Sequence, residues 1–353
     1  MTTDVVRAGY WFWTNHAFPV GSIDSKHFTH LFCAFAELDP ETYKISFPTQ
    51  AIHAFATFTE TVQRKNPDVK TLLSIGEAGP SNNPILYSIA SNKANRKLFI
   101  SSSIDFARSN NFHGLDLCWL PTSFPPQNGF FFLLKEWRDA ITAEAEESGN
   151  EPLLLTAQFE YDVEFSPCPP RSIPRFLDWM NLVAYDFHTP RNSRSTRAHA
   201  AWRSKPGDPS GEYSINAWME KGVNQKKIVL GLPLFGNAWS LANAKNNGMF
   251  APAKGAPSSY ATGVISYEQI TKFLAKIDTT QKFDPDTETH YCYNSTTWIS
   301  YDDRKSITKK IEHARDLELL GYFVWHVGND HNWILSKTGS YAFSPYIRLN
   351  SSV

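Results

Sequence analysis

The stretch Phe112-His113-Gly114-Leu115-Asp116-Leu117-Cys118-Trp119-Leu120-Pro121 decides the fold. Side chains alternate faces along a strand. Gly114, Asp116, Cys118 and Leu120 therefore share one face, and Leu115, Leu117 and Trp119 share the other. In a closed parallel barrel the second set packs under helices. The first set points inward, with Leu120 nearest the mouth. A hydrogen-bonded buried acid explains Asp116 on its own; beside the thiol of Cys118 it also marks a candidate site.

Seven further apolar runs resemble this one: Val5–Phe12, His30–Leu38, Lys70–Gly76, Leu153–Phe159, Trp179–Phe187, Lys227–Gly236 and Gly321–Gly328. Between them, Ala51–Lys65, Asn95–Asn110, Phe130–Glu147 and Ser306–Leu320 carry apolar residues at helical spacing. Strands alternating with helices imply parallel pairing. Eight such units predict an α/β chain folded as a (β/α)8 TIM barrel, with its chemistry at the C-terminal ends of the strands. An open doubly wound sheet calls for a glycine-rich phosphate turn after the first strand, and Phe12-Trp13-Thr14-Asn15 supplies none.

Gly236 and Gly321 are separated by 84 residues, too many for one helix. The excess predicts a small α+β insertion between the seventh strand and the seventh helix, over residues 238–303. The barrel then comprises 1–237 and 304–353. Ile265–Asp278 reads as a helix, and His290–Tyr293 and Thr297–Tyr301 as short strands.

Composition narrows the function. With 34 basic and 35 acidic residues the net charge is −1, which offers nothing to nucleic acid or an anionic membrane. No apolar run approaches the roughly 18 residues of a membrane span. Four cysteines, Cys33, Cys118, Cys168 and Cys292, are too few for a disulfide framework or a zinc site. Cys168 and Cys292, in loop-like sequence, are the candidates for a pair. Asn294-Ser295-Thr296 and Asn350-Ser351-Ser352 are glycosylation sequons. A native Met1 implies a cytoplasmic protein. A Met1 that replaces a removed signal implies an extracellular or vacuolar one.

Polar residues at strand ends mark the candidate site. They are Glu77 after the third strand, Gln158 and Glu160 at the end of the fifth, Tyr185, Asp186 and His188 at the sixth, and Trp325 at the eighth. Each has an ordinary structural role open to it. Converging on one end of one barrel with Asp116, they suit a sugar: carboxylates bind hydroxyls and rings stack on the apolar sugar face. Tyr10 and Phe35, from the first two strands, complete the expected ligand contacts. No metal-ligand spacing and no cofactor motif is present.

Several stretches together resemble plant class V chitinases of glycoside hydrolase family 18 over nearly the whole chain. They are Gly9-Tyr10-Trp11-Phe12, Thr29-His30-Leu31-Phe32-Cys33-Ala34-Phe35-Ala36, Lys70-Thr71-Leu72-Leu73-Ser74-Ile75-Gly76, Phe112–Leu117, Ala184-Tyr185-Asp186-Phe187 and Gly321–Gly328. The resemblance implies substrate-assisted hydrolysis, outside the usual two-carboxylate scheme. In that scheme the last residue of a D-G-x-D-x-D-x-E strand protonates the glycosidic oxygen. The acid before it orients the substrate's acetamide, a tyrosine binds that acetamide, and a tryptophan floors the sugar.

On this chain the first acid of the motif is His113, the middle acid is Asp116, the orienting acid is Cys118 and the proton donor is Leu120. Leucine has no proton to give, and general acid catalysis is worth about 10²–10⁴-fold. The third strand ends in Glu77-Ala78-Gly79-Pro80, and the sixth is followed by His188-Thr189-Pro190-Arg191. Tyr185, Asp186 and Trp325 keep the binding half of the pattern.

The expected function is therefore a chitinase-like protein without chitinase activity, holding an N-acetylglucosamine oligomer or related glycan in the cleft. The alternative is a repurposed enzyme acting on another small molecule, as in plant specialised metabolism, through Glu77, Asp116, Tyr185 and Asp186. Cys118 is a weak nucleophile candidate, because the charge of Asp116 raises its pKa. Use of the outer surface, as in an inhibitor or storage protein, has no positive signal in the sequence.

Overall fold

The computed structural model describes residues 5–343, apart from 14–17, 82, 124, 126 and 127. Its strands in chain order are β1 Val6–Phe12, β2 His30–Leu38, β3 Ile45–Ser46, β4 Lys70–Ser81, β5 Gly114–Pro121, β6 Leu154–Phe159, β7 Trp179–Leu182 and β8 Ile228–Pro233. There follow β9 Phe235–Ser240, β10 Val264–Ser266, β11 Thr280–Asp284, β12 Thr289–Asn294, β13 Thr297–Tyr301 and β14 Gly321–Trp325. Strands β1, β2, β4, β5, β6, β7, β8 and β14 pair in parallel, and the β1–β2 pairing closes the ring into a (β/α)8 barrel. The short β3 pairs antiparallel with the outer part of β2.

Alternation along the strands builds two apolar cores. Leu115, Leu117 and Trp119 of β5 join an outer core with Phe99, Ile104, Phe130 and Leu133 from the helices Lys93–Ser109 and Gly129–Ser148. Leu120 belongs instead to the interior cluster with Ala8, Tyr10, Phe32, Tyr185 and Phe323. Helix boundaries follow side-chain caps: Asn92 accepts from the backbone of Ala94 and Asn95, and Asp303 and Ser306 form a reciprocal box at the start of Arg304–Asp316. The helix expected over Ala51–Lys65 is two short ones, Ile52–Ala56 and Phe58–Gln63, parted at Thr57.

The run Lys227–Gly236 divides between two sheets. Barrel strand β8 ends at Pro233, and β9 begins at Phe235 in a five-stranded antiparallel sheet of order β10-β9-β13-β12-β11. Leu234 makes the crossing: its N–H donates to the carbonyl of Trp325 at 2.8 Å, and its carbonyl accepts from Tyr267 at 3.0 Å. The expected helix at 265–278 is Tyr267–Leu274, and β11 is a strand the sequence reading did not find.

No disulfide joins Cys168 and Cys292; both are free and buried, Cys168 against the barrel's outer core and Cys292 in β12. Burial pushes both thiols up, Cys168 to about 12. The amide of Asn294 is already engaged, donating to the carbonyl of Ile277 at 2.8 Å and to Thr279 Oγ1 at 2.9 Å. The sequon at Asn350, and Thr14 and Asn15 after β1, lie outside the described residues. No helix among the described residues is long and apolar enough to cross a membrane.

Candidate functional site

A cavity of about 900 Å³ opens at the C-terminal ends of the barrel strands. Of the expected ligand contacts, Gln158, Glu160, Tyr185, Asp186 and Trp325 line it, and Leu120 stands among them. Strand β6 delivers Gln158 and, just past its end, Glu160. The segment after β7 delivers Tyr185 and Asp186, which are sequence neighbours that alternation would send to opposite faces. Both reach the cavity because the strand ends at Leu182 and Asp186 takes a left-handed backbone, φ 58°.

Asp186 is held from the second sheet. Asn237 of β9 donates to its Oδ1 at 2.7 Å, and His199 Nδ1 lies 3.4 Å from the same oxygen. Tyr185 is buried with its ring edge-on to Phe235, and burial, followed by the Asp186 charge, holds its hydroxyl far up. Trp325 packs on Tyr10, ring centroids 4.9 Å apart, and against Phe12 and Phe35.

The remaining expected contacts lie elsewhere. Asp116 is wholly buried and does not reach the cavity wall. Its Oδ2 accepts from Ser74 at 2.7 Å and Tyr10 at 2.9 Å, and its Oδ1 from Thr156 at 2.6 Å and Asn181 at 3.3 Å. Burial raises its pKa against the pull of those donors. It ties β1, β4, β6 and β7 to β5. Tyr10 spends its hydroxyl on Asp116. Phe35 packs on Phe12 at 5.4 Å.

Glu77 turns away from the cavity. Pairing between β4 and β5 runs from Gly76 with Cys118 to Pro80 with Leu120, so β4 carries two extra residues there. This bulge presents Ala78, Gly79 and Pro80 to the cavity, while Glu77 Oε1 accepts from Ser81 at 2.6 Å. Gly76 makes it passable: at φ 134° it sits where a Cβ would lie 1.9 Å from the carbonyl oxygen of Cys118. His188 lines a different cavity of about 390 Å³, beside Arg197, which is fastened to Asp208 at 2.9 Å.

Cys118 is fully buried, and its thiol donates to the carbonyl of Glu77 at 3.3 Å. Burial, then the charges of Asp116 and Glu77, pushes it well up, so it is a poor thiolate. Glu160 is the titratable group the cavity perturbs most usefully. Burial, Asp186 and Asp162 together raise it to about 7. His326, also in the wall, is pushed down to about 4 by burial and is neutral at neutral pH.

Sequence reasoning passed over Phe12, Tyr161, Phe165 and Phe235, which give the cavity much of its aromatic wall. Phe12 and Tyr161 ended strands already identified and were within reach of alternation. Phe165 comes from a loop, and Phe235, although inside the run Lys227–Gly236, lines the cavity from the second sheet into which the end of that run passes. Asn237 and His199 carried no local signal at all.

The eight-stranded ring, the sheet inserted after β8 and the strand-end cavity together define a fold and a site that can be matched. The sequence pattern of the family described as Glycosyl hydrolases family 18 matches residues 6–330. This chain belongs to that family. A class V chitinase of Arabidopsis thaliana is 45% identical over 347 residues, 97% of this chain and 91% of that protein. The crystal structure of class V chitinase from Nicotiana tobaccum superposes with a TM-score of 0.92 at 42% identity, covering 97% of this chain and 99% of that one. A form of the same tobacco protein has been crystallised with NAG4. The chitinase-like agglutinin RobpsCRA of Robinia pseudoacacia matches at a TM-score of 0.87 and 39% identity, covering 96% and 99%. Proteins named as chitinases and one named as a chitinase-like agglutinin thus match this chain at comparable similarity.

Proposed function

We propose that this family 18 protein binds an N-acetylglucosamine oligomer or related glycan in the barrel-mouth cavity and does not hydrolyse chitin. The observation that carries this reading is Leu120, an apolar side chain in the cavity wall where the family pattern has its proton donor. Beside it Cys118 is a buried, neutral thiol with no charge to set against a developing oxazolinium ion. Tyr185, Asp186 and Trp325 stand in the same wall, offering a phenol, a carboxylate and an indole face to a sugar. Relatives crystallised with NAG4 and with (GlcNAc)3 support an oligosaccharide of this kind as the ligand.

Calorimetric titration with the N-acetylglucosamine tetramer tests it. Binding with no release of smaller sugars is expected, together with about a tenfold or greater loss of affinity in Trp325→Ala, about 1.4 kcal/mol. No heat up to millimolar tetramer overturns the binding reading. Hydrolysis at rates near those of an active class V chitinase, lost in Trp325→Ala, overturns the claim of inactivity.

One observation favours the alternative, an enzyme acting on another small molecule. Glu160 changes protonation near neutral pH next to Asp186, and unlike carboxyls side by side are what proton transfer uses. Turnover of a plant small molecule that depends on both Glu160 and Asp186 is the finding that establishes it.

A further inference from the structure

We infer that His326 is a ligand contact of the cavity, with its Nε2 donating a hydrogen bond to an oxygen of the sugar that stacks on Trp325. This deepens the glycan-binding reading and rests on it.

The backbone sets the tautomer of this ring. Strand β14 ends at Trp325, and the chain turns at once through the short helix Val327–Asn329. The N–H of Gly328 donates to His326 Nδ1 at 3.2 Å, so Nδ1 is the accepting nitrogen. Gly328 allows that approach, because a Cβ there would crowd the imidazole, 3.2 Å from its Cε1. The N–H of Asn329 donates to the His326 carbonyl at 3.0 Å and closes the turn. A neutral imidazole carries one ring proton, and with Nδ1 accepting, that proton is on Nε2. Burial keeps the ring neutral by pushing it down to about 4. His326 therefore presents one fixed donor at neutral pH.

The protein does not use that donor. The hydrogen bond that the His326 side chain makes among the described residues is the one to Nδ1, and the residue lines the cavity. Asn329, from the same turn, also lines the cavity, and its hydrogen bond among the described residues is made by its backbone. Other polar groups of the wall are engaged: Asp186 accepts from Asn237 at 2.7 Å, and Asn192 Oδ1 accepts from the N–H of Thr189 at 2.7 Å. A donor shut away from water without a partner is costly, and a ligand oxygen removes that cost.

The rings beside His326 indicate what carries the oxygen. Its imidazole lies against Trp325, with centroids 6.4 Å apart and planes at 87°, and against Phe12, at 5.7 Å and 59°. Both line the cavity. An apolar platform bordered by a fixed donor and an amide suits a ring with an apolar face and oxygens around its edge, which describes a sugar. A hydrocarbon ring would cover Trp325 and leave Nε2 unpaired. The donor thus selects the sugar poses that bring an oxygen to it.

Two substitutions separate the two ring nitrogens. His326→Asn keeps an acceptor for Gly328 and removes the donor. His326→Gln keeps a donor at the reach of Nε2 and gives up the acceptor. The whole protein is titrated calorimetrically with the N-acetylglucosamine tetramer, and each variant is melted. The expected result is at least about fivefold weaker binding in His326→Asn, with an unchanged melting temperature. In His326→Gln the melting temperature falls and the affinity stays near that of wild type. Wild-type affinity in His326→Asn, or an equal loss of affinity in both variants, overturns this inference and leaves glycan binding standing. Should His326→Asn not fold, nitrogen NMR of histidine-labelled wild type decides, with the His326 signals assigned by their absence in His326→Gln. A ring protonated at Nε2, whose Nε2 resonance moves when the tetramer is added, is expected. Protonation at Nδ1 instead, or an Nε2 resonance that the bound tetramer leaves in place, overturns the inference. Wild type that binds no tetramer overturns this inference and the glycan-binding reading together.

Discussion

Asp116 and Glu160 are two acids of one barrel that end in opposite roles, and their partners explain why. Asp116 has four side-chain donors on its two oxygens and no exposure, so its interactions are spent on holding five strands together. Glu160 has no such donors acting on it and two like charges nearby, so its proton is available. That availability has a thermodynamic signature. The fold lifts its pKa from the ordinary glutamate value of 4.5 to about 7. Between these pH values the folded chain holds more protons at Glu160 than the unfolded chain does. Stability therefore falls as pH rises through this window, by an upper bound of about 3 kcal/mol. Urea unfolding of wild type and Glu160→Gln checks it. The two are expected to converge toward pH 4.5, with the variant more stable above pH 7. A difference that does not change with pH contradicts the assignment.

Among the elements, β5 divides its work along its length. Its lower half carries Asp116, and its upper half ends in Cys118 and Leu120, beside the bulge of β4. Installing Cys118→Asp with Leu120→Glu tests whether the rest of the wall still suits chitin. The pair is expected to add hydrolysis of N-acetylglucosamine oligomers, by the roughly 10²–10⁴-fold that a general acid supplies. Asp at 118 has to be buried next to Asp116, so a stability loss of about 1–3 kcal/mol is expected in a melting curve. A folded double variant that stays inert places the fault in the altered segments Glu77–Pro80 and His188–Arg191.

Across the molecule as a whole, the site depends on two sheets staying in register. Asn237 on the antiparallel sheet orients Asp186 on the barrel. The buried Lys310 from helix Arg304–Asp316 donates to the carbonyl of Ala200 and to Asp302, just beyond β13. Burial lowers the Lys310 pKa against the pull of Asp302. Removing one member strands the other charge, so Lys310→Met is expected to lower unfolding stability by about 3–5 kcal/mol in a urea titration. A loss below about 1 kcal/mol means the pair contributes little to holding the sheets together.

The barrel is legible in the chain alone, because period-two alternation and strand-helix repetition are local patterns that eight units repeat. So is the missing carboxyl at Cys118 and at Leu120, which is a matter of residue type. Which candidates share a cavity is not legible there. Glu77 is withdrawn by a bulge set by pairing with β5, and His188 opens into another hollow. Asp116 is consumed by donors up to 106 residues away in sequence. Asp186 is held in place by Asn237, 51 residues away. Glu160 is perturbed because Asp186 is folded up to it. Through-space charge and hydrogen bonding between distant segments leave no periodic trace in a chain, so only the folded molecule could assign those roles.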